Sequence, residues 1–176
     1  MKKTNISGLY IINQKVFNDK RGKFIKAFSK DFVHKKINTN FKECYFTKSK
    51  KNVIRGIHFQ DLKGCAKFVF VLSGKVIDVV IDLRRNSKTF GKHFCINISD
   101  KNGISIYIPP GFAHGFVGLE KENIISYHCT NLRSEKHEMG ILWNDNDLKI
   151  KWPTKKPIIS TKDKKNISLK EYLKNA

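Results

Sequence analysis

The stretch that decides the fold is Lys67-Phe-Val-Phe-Val-Leu-Ser-Gly-Lys-Val-Ile-Asp-Val-Val-Ile-Asp-Leu83. Two runs of β-branched and aromatic residues flank Ser73-Gly74-Lys75, whose composition is typical of a tight turn between strands. In the second run, Asp78 and Asp82 share one face of a strand, because side chains alternate between faces. These aspartates are compatible with a metal or acid site. We expect instead a face whose carboxylates orient neighbouring groups or contact solvent.

Further short strands are predicted on both sides of this stretch, where apolar and polar residues alternate between turn-forming residues. Asn18-Asp19-Lys20-Arg21-Gly22 has the composition of a hairpin turn. Since no helix is predicted between the strands, we expect an all-β, antiparallel sandwich or barrel, which protects strand edges. The predicted strands cover residues 9–12, 23–28, 41–49, 53–60, 94–98, 104–108, 115–119 and 124–130.

Two short helices are predicted outside these strands. Ser29 is a candidate N-cap for a helix that extends to Lys35. Ser168 and Glu171 form a capping-box pattern that opens a C-terminal helix. Neither an internal repeat nor a linker is visible, so we expect a single domain over residues 1–176.

The charge is strongly positive, at +20 for 176 residues. A basic protein of this kind invites a nucleic-acid hypothesis. However, the excess is almost entirely lysine, spread along the whole chain without a nucleic-acid motif, and arginine occurs only at positions 21, 55, 84, 85 and 133. We therefore expect a solvated lysine-rich surface with an anionic ligand site rather than nucleic-acid binding.

Cysteine usage and hydropathy suggest the cellular setting. The four cysteines, Cys44, Cys65, Cys95 and Cys129, form no C-x-x-C pair and no zinc spacing, so we expect buried, reduced thiols. No apolar run approaches the roughly 20 residues of a membrane span. The first residues lack the apolar core of a signal peptide. These features predict a soluble, cytoplasmic protein without a membrane partner.

Two histidines stand in patterns that suggest chemistry. In Val53-Ile-Arg-Gly-Ile-His-Phe-Gln60, strict alternation places His58 on the face of Ile54, three residues from Arg55. An imidazole can exchange protons near neutral pH, so His58 is a candidate base. His114 lies in a turn rich in proline and glycine, where a histidine is more often a hydrogen-bonded structural residue than a catalyst. No His-x-His pair is present, which argues against a metal site.

Ordered motifs along nearly the whole chain, from about residue 8 to 165, resemble the deoxysugar 3,5-epimerase family typified by dTDP-4-dehydrorhamnose 3,5-epimerase. The resemblance implies a cupin-type jelly-roll sandwich, a homodimer, and no metal or redox cofactor. It also implies a cupin core over about residues 40–132, with N-terminal strands and a C-terminal tail completing the site and dimer. The motifs are Asp19-x-Arg21-Gly22, Arg55-Gly-Ile-His58-Phe-Gln60, Thr89-Phe-Gly91, Ile108-Pro-x-Gly-Phe-Ala-His114-Gly-Phe116, Gly140-Ile-x-Trp143-Asn144-Asp145, Trp152-Pro153 and Ser160-x-Lys162-Asp163.

The resemblance assigns roles to four residues. His58 matches the base that removes a proton beside a C4 ketone, and Asp163 matches the carboxylate that orients its ring. Lys67 matches the lysine that stabilises the enolate oxygen, and Tyr127 matches the acid that returns a proton from the opposite face. Without the family, the sequence favours packing of Tyr127 beside its strand neighbours and a surface position for Lys67.

The resemblance also implies a substrate-binding set. Arg55 and Arg21 match positions that contact a diphosphate, for which guanidinium groups are well suited. Thr47 and His114 are expected at the sugar end. Phe24, Lys26 and Glu43 complete the set. Arg84, by contrast, is expected to be structural and paired with a nearby carboxylate.

Departures from the family pattern bear on the nucleotide. Most relatives carry glutamine where this chain has Glu43, glutamate at Lys26, asparagine at Tyr45 and arginine at Phe70, and the tandem tyrosines after the catalytic tyrosine are replaced by Leu132 and Arg133. A carboxylate at position 43 is suited to accept two hydrogen bonds from guanine.

We therefore expect a GDP-linked 4-keto sugar, as in the branch acting on GDP-4-keto-heptoses in capsule polysaccharide biosynthesis. The alternatives are the dTDP-linked rhamnose-pathway enzyme, a ketoisomerase of the same fold and a non-catalytic basic binding module. The ketoisomerase is disfavoured because its usual histidine pair is missing. Whether C3, C5 or both carbons are inverted stays open.

Overall fold

A computed structural model describes residues 1–29, 37–60 and 64–175. The described part contains thirteen strands, one α-helix and two short 3₁₀ turns, Glu135–His137 and Asp163–Lys165. The elements are β1 Lys2–Lys3, β2 Tyr10–Asn13, β3 Lys15–Asp19, β4 Gly22–Lys26, β5 Glu43–Lys50, β6 Ile54–Gln60, β7 Lys67–Ser73, β8 Lys75–Asp82, β9 His93–Ser99, β10 Ile104–Ile108, β11 Phe112–Gly118, β12 Glu122–Cys129, β13 Glu138–Gly140 and α1 Leu169–Asn175.

Eleven of the thirteen strands form two antiparallel sheets that pack face to face, and β3 and β4 form a separate two-stranded hairpin. The first sheet has the order β1-β2-β10-β7-β12-β5, and the second has the order β13-β6-β11-β8-β9. Fully buried side chains from both sheets, such as Val69, Val80, Ile106, Phe116 and Ile125, fill the space between them. The all-β antiparallel sandwich predicted from the sequence is confirmed, and its crossed strand order is that of a jelly roll.

The stretch from Lys67 to Leu83 links the two sheets. Its first strand, β7, lies in the six-stranded sheet, whereas β8 lies in the five-stranded sheet, so the two strands do not pair with each other. Gly74 makes the turn with a φ of 87°, and a Cβ at this position would collide with the carbonyl oxygen of Glu122. A turn this tight therefore needs glycine. Each strand is buried because it belongs to a different layer of the sandwich.

Both aspartates of β8 are fully buried and each has its own partner. Asp78 Oδ2 lies 2.7 Å from His114 Nε2. Asp82 accepts a bidentate pair from Arg84, with 2.8 Å to Nε and 2.7 Å to Nη2. Burial alone would raise the pKa of Asp82, but hydrogen bonds from Arg84 and nearby hydroxyls hold it at about 2. The orienting role and the pairing of Arg84 are confirmed, and the solvent-facing option is wrong.

The cysteine prediction is correct in one respect and wrong in another. All four thiols are free. Cys129 is buried and Cys65 is partly buried, but Cys44 and Cys95 are exposed. The exposed pair lies on β5 and β9, which form edges of the two sheets, where alternate side chains point away from the core.

The peripheral elements follow the sequence pattern in part. The predicted hairpin turn joins β3 to β4. The apolar run at residues 9–12 forms β2, which pairs with β10 rather than with the strand that follows the hairpin turn. Helix α1 has the predicted capping box, in which Ser168 N donates to Glu171 Oε2 at 2.7 Å and Glu171 N donates to Ser168 Oγ at 3.1 Å. The predicted helix after Ser29 lies outside the described residues. Within the described ranges, no helix has the length and apolar character needed to cross a membrane.

The Asp82 network leads to a stability prediction. Asp82→Asn should lower the free energy of unfolding by about 2 kcal/mol, less than for a fully buried pair because Arg84 keeps contact with water. The depressed pKa means that the charged pair contributes fully above pH 3.8 and loses its contribution as the pH falls to about 2. Urea unfolding at pH 7 measures the loss.

The matched control is Glu122→Gln, which removes the partner of Lys48 in an exposed ion pair. This variant should unfold at nearly the same urea concentration as the wild type, because exposed pairs contribute little. Equal losses in the two variants would contradict the structural importance of the Asp82 network.

Candidate active site

A cleft of about 670 Å³ opens at one side of the sandwich. Side chains from both sheets and from the C-terminal segment line it. They include most of the residues selected from the sequence, namely Glu43, Thr47, Arg55, His58, Lys67, His114, Tyr127 and Asp163. Long-range strand pairing therefore brings together groups that lie more than 100 positions apart in the chain.

A β-bulge places Arg55 and His58 in the same cleft. Phe116 pairs with Arg55 and His114 with His58, so two steps on β11 correspond to three steps on β6. The extra residue resets the alternation of side chains. Gly56, with a φ of 111°, lies in the bulge, where a Cβ would come within 2.8 Å of Gly115 Cα and of the His114 carbonyl oxygen. Strict alternation, which would have separated Arg55 from His58, is therefore wrong here.

His58 and Asp163 form a hydrogen-bonded dyad. His58 Nε2 lies 2.6 Å from Asp163 Oδ1, and the Gly56 amide donates to Asp163 Oδ2 at 3.2 Å. Burial alone would raise the pKa of Asp163, but the hydrogen bonds from His58 and Gly56 hold it below its ordinary value. The carboxylate therefore stays ionised, and it fixes the ring through one nitrogen while the other nitrogen stays available for proton transfer.

Tyr127 lies on β12 and lines the same cleft. Its ring stacks on Tyr45, with centroids 5.0 Å apart, and meets the edge of His114 at 5.9 Å. His114 is itself held by the buried Asp78 carboxylate. Burial, reinforced by the charge of Asp78, raises the pKa of Tyr127 well above its ordinary value. The phenol therefore keeps its proton at neutral pH, as a general acid must, while it also packs tightly.

Comparison with known proteins identifies the family. A family model described as dTDP-4-dehydrorhamnose 3,5-epimerase matches residues 3–171. The dTDP-4-dehydrorhamnose 3,5-epimerase of Methanothermobacter thermautotrophicus is 39% identical over 173 residues, covering 96% of this chain and 94% of that enzyme. The chain belongs to the dTDP-4-dehydrorhamnose 3,5-epimerase family. It is therefore a carbohydrate epimerase, and the alternative of a non-catalytic basic binding module is set aside.

Solved structures of relatives share the fold over almost the full length. The dTDP-4-dehydrorhamnose 3,5-epimerase of Elizabethkingia anophelis NUHP1 is 38% identical with a TM-score of 0.89, covering 96% of this chain and 95% of that one. The epimerase of Legionella pneumophila Philadelphia 1, solved in complex with dTDP-4-keto-L-rhamnose, is 35% identical with a TM-score of 0.92, covering 96% and 92%. These similarities confirm the predicted cupin-type jelly roll.

Three residues of the predicted substrate-binding set do not line the cleft of this chain. Arg21, Phe24 and Lys26 lie on the β3–β4 hairpin, which pairs only with itself. Arg21 forms an exposed ion pair with Asp19, and Phe24 packs against Phe17 with both rings more than half exposed. In one chain, the family's binding set is therefore divided between the cleft and a surface hairpin.

Glu43 does line the cleft, but its carboxylate is already engaged. Oε2 accepts a hydrogen bond from the Arg133 backbone amide at 2.7 Å. One carboxylate oxygen is thus occupied within the chain. The pairing with guanine proposed from the sequence assumed a free carboxylate, and this contact weakens that argument.

Sequence reasoning missed three charged cleft residues as site residues: Arg133, Glu138 and Lys162. Lys162 stands in the Ser160-x-Lys162-Asp163 motif, which was a usable signal, and Arg133 was noted only as a departure from the family. Glu138 gave no local signal, because its place in the cleft depends on the pairing of β13 with β6.

Gly56→Ala tests the bulge. The added methyl group should lower the free energy of unfolding by roughly 3 kcal/mol, since it combines an unfavourable φ with backbone contacts that cannot give way. The control is Gly22→Ala, which has a φ of 129° but no neighbouring atom within 4 Å of the added Cβ. Backbone strain alone should cost the control variant about 1 kcal/mol. Urea unfolding compares the two, and equal losses would contradict the close approach at Gly56.

Proposed function

We propose that this protein is a 3,5-epimerase of a dTDP-linked 4-keto-6-deoxy sugar. The observation that carries the proposal is the joint presence of the His58–Asp163 dyad and the protonated Tyr127 in one cleft. An epimerase of this kind needs a base on one face of the sugar ring and an acid on the other. The dyad and the phenol supply these two groups without a metal or redox step.

The proposed reaction begins at a ring C–H next to the C4 ketone. His58 takes the proton, and Asp163 stabilises the imidazolium that forms. Negative charge moves to the ketone oxygen, where the Lys67 ammonium stabilises the enolate. Tyr127 then donates its proton to the carbon from the opposite face, which inverts the centre. Both groups return to their starting protonation states by exchange with solvent.

The nucleotide is proposed to be dTDP rather than GDP. The relatives are named for a dTDP-linked substrate, and the Legionella pneumophila structure holds a dTDP-linked 4-keto sugar. Departures at Glu43 and Lys26 suggested a GDP-linked heptose from the sequence, but Glu43 is partly engaged by Arg133. The family resemblance and this contact both favour the rhamnose-pathway alternative over the capsule-heptose interpretation.

A second chain is proposed to complete the cleft. The β3–β4 hairpin exposes Phe17 and Phe24 at 56% and 63%, and such a pair is unusual on a monomer surface. Arg21 and Lys26 lie on the same hairpin and would add positive charge to an adjoining cleft. A homodimer in which each hairpin packs against the partner would cover these rings and bring the predicted diphosphate contact to the site.

His58→Asn tests the proposed base. Incubated in D₂O with the dTDP-linked 4-keto sugar, the wild type should place deuterium at C3 and C5, whereas the variant should lose this exchange by at least about 10³-fold. Affinity for dTDP should change little, because the imidazole acts mainly in the transition state. Tyr127→Phe is the companion variant and should slow inversion more than exchange. Inversion that survives in His58→Asn would mean that another group is the base.

Nucleotide choice is tested separately by calorimetry with dTDP and GDP. The wild type should bind dTDP at least about tenfold more tightly, a difference of roughly 1.4 kcal/mol. Tighter binding of GDP would reject dTDP as the carrier and restore the GDP-linked alternative. The His58→Asn protein serves as a control, since its nucleotide preference should match that of the wild type.

Complementation between two inactive variants tests the hairpin. Chains carrying His58→Ala and chains carrying Arg21→Ala with Phe24→Ser are coexpressed with different tags, and the mixed dimer is purified. One of its two sites then combines an intact dyad with an intact hairpin, so activity should reach about half that of the wild type. If the hairpin served its own chain, both sites of the mixed dimer would be defective and no activity would return.

A further inference from the structure

Three charged residues form a connected group beside the dyad, which we call the Glu138 cluster: Arg133, Glu138 and Lys162. Arg133 Nε donates to Glu138 Oε1 at 3.1 Å, and Arg133 Nη2 donates to Oε2 at 3.0 Å. Lys162 Nζ donates to the same Oε2. The Glu138 side chain is only 12% exposed, whereas the two cations reach solvent. A largely buried carboxylate thus joins two more exposed cations.

The Glu138 cluster connects the strand beside β6, which carries His58, to the turn that carries Asp163. Glu138 is the first residue of β13, and this strand pairs with β6 so that Gly140 lies opposite His58. Lys162 directly precedes Asp163 at the start of its 3₁₀ turn. The contact between Glu138 and Lys162 therefore ties the strand next to the base to the turn that carries its carboxylate partner.

Few other contacts hold this turn. The C-terminal segment is anchored before it, where Ile158 bonds to the backbone beside β6, and after it, where Ile167 bonds to the backbone around Gly140. Between these anchors, in the part of the chain that the structure describes, the hydrogen bonds that leave the segment come from Asp163 and Lys162, together with a long one of 3.5 Å from Asn166 Nδ2 to the Ile141 carbonyl oxygen. Without Lys162, the turn would be held to β6 and β13 by the bonds of the Asp163 carboxylate to His58 and Gly56 and by the long contact of Asn166.

The charge of Glu138 also acts on the reaction. Burial would raise the pKa of Glu138, but Arg133 and Lys162, with a smaller contribution from His58, hold it at about 2. The carboxylate is therefore ionised at every working pH. It offsets two positive charges close to a ring that must itself become positive during proton abstraction.

We propose that Glu138 is a positioning residue for the His58–Asp163 dyad, acting through Lys162 on the turn that carries Asp163 and through its charge on the protonated ring. This inference rests on the proposed role of His58 as the base. Arg133 keeps the carboxylate in place from the other side by its bidentate contact. Neither Glu138 nor Lys162 needs to touch the sugar for this role.

The test measures kcat, KM and the pH profile with the dTDP-linked 4-keto sugar. Glu138→Gln should lower kcat by roughly 10- to 100-fold, the scale expected for a slightly misplaced catalytic group, with a change in KM below about threefold. The acid limb of the kcat/KM profile should move to lower pH, because two uncompensated cations disfavour protonation of the dyad. A purely structural role would not move this limb.

Lys162→Met provides an opposite change of charge at an exposed side chain, so it keeps the inference testable even if Glu138→Gln fails to fold. Its kcat should also fall, but its acid limb should move to higher pH because a cation is removed. Lys162→Arg, which keeps the charge and the contact, should restore kcat to within about threefold of the wild type. If the acid limbs of the kcat/KM profiles move in the same direction in Glu138→Gln and Lys162→Met, the charge argument is overturned.

Two neighbouring variants are matched controls. Glu135→Gln removes the same charge from an 83% exposed side chain that contacts Arg133 at 3.5 Å, and Lys164→Met removes a cation from the same turn as Asp163. Both should leave kcat and the pH profile unchanged. Effects as large as those of Glu138→Gln and Lys162→Met would show a general charge effect and overturn the inference.

His58→Asn in the same assay separates the two proposals. If His58→Asn is inactive while Glu138→Gln behaves as the wild type, only the positioning role fails. If His58→Asn stays active, the base assignment fails, and the positioning role fails with it.

Discussion

The hydrogen bond between His58 and Asp163 is the contact on which the site depends. It joins β6, in the first half of the chain, to a turn more than 100 residues further on, and the amide of Gly56 binds the same carboxylate. This geometry is possible because the bulge brings the β6 backbone close to β11, where only glycine fits. Packing of the sandwich, the bulge and the dyad are therefore parts of one arrangement, and a change in any of them alters the distance between His58 and Asp163.

Buried carboxylates have separate tasks in this strongly basic protein. Asp78 orients His114 at the wall of the cleft, Asp82 holds Arg84 and the loop after β8, and Asp163 orients His58. Each is satisfied by donors placed by the fold, as burial of a charge requires. The lysine excess lies mostly at the surface, so the net charge says little about the chemistry, whereas a few paired acids determine it.

Much of the fold could be predicted because alternation of apolar residues is a local property. The strands around residues 94–98, 104–108 and 124–130 and the capping box at Ser168 needed no knowledge of distant partners. Which strands pair with each other could not be predicted in the same way. The apolar run at residues 9–12 pairs with β10 rather than with the following hairpin, because pairing depends on contacts between residues far apart in the chain. Similarly, β7 and β8 are adjacent in the chain but lie in different sheets.

By itself, the sequence determined the all-β class, most strand positions, the family and the identity of the catalytic candidates, since these follow from local patterns and ordered motifs. Only the tertiary structure decided that Arg55 and His58 share a cleft, that Glu43 is engaged by Arg133, that the hairpin residues lie away from their own cleft, and that Glu138 stands beside the dyad. Each of these depends on contacts between residues distant in the chain or on one inserted residue in a strand, and neither leaves a periodic signal in the sequence.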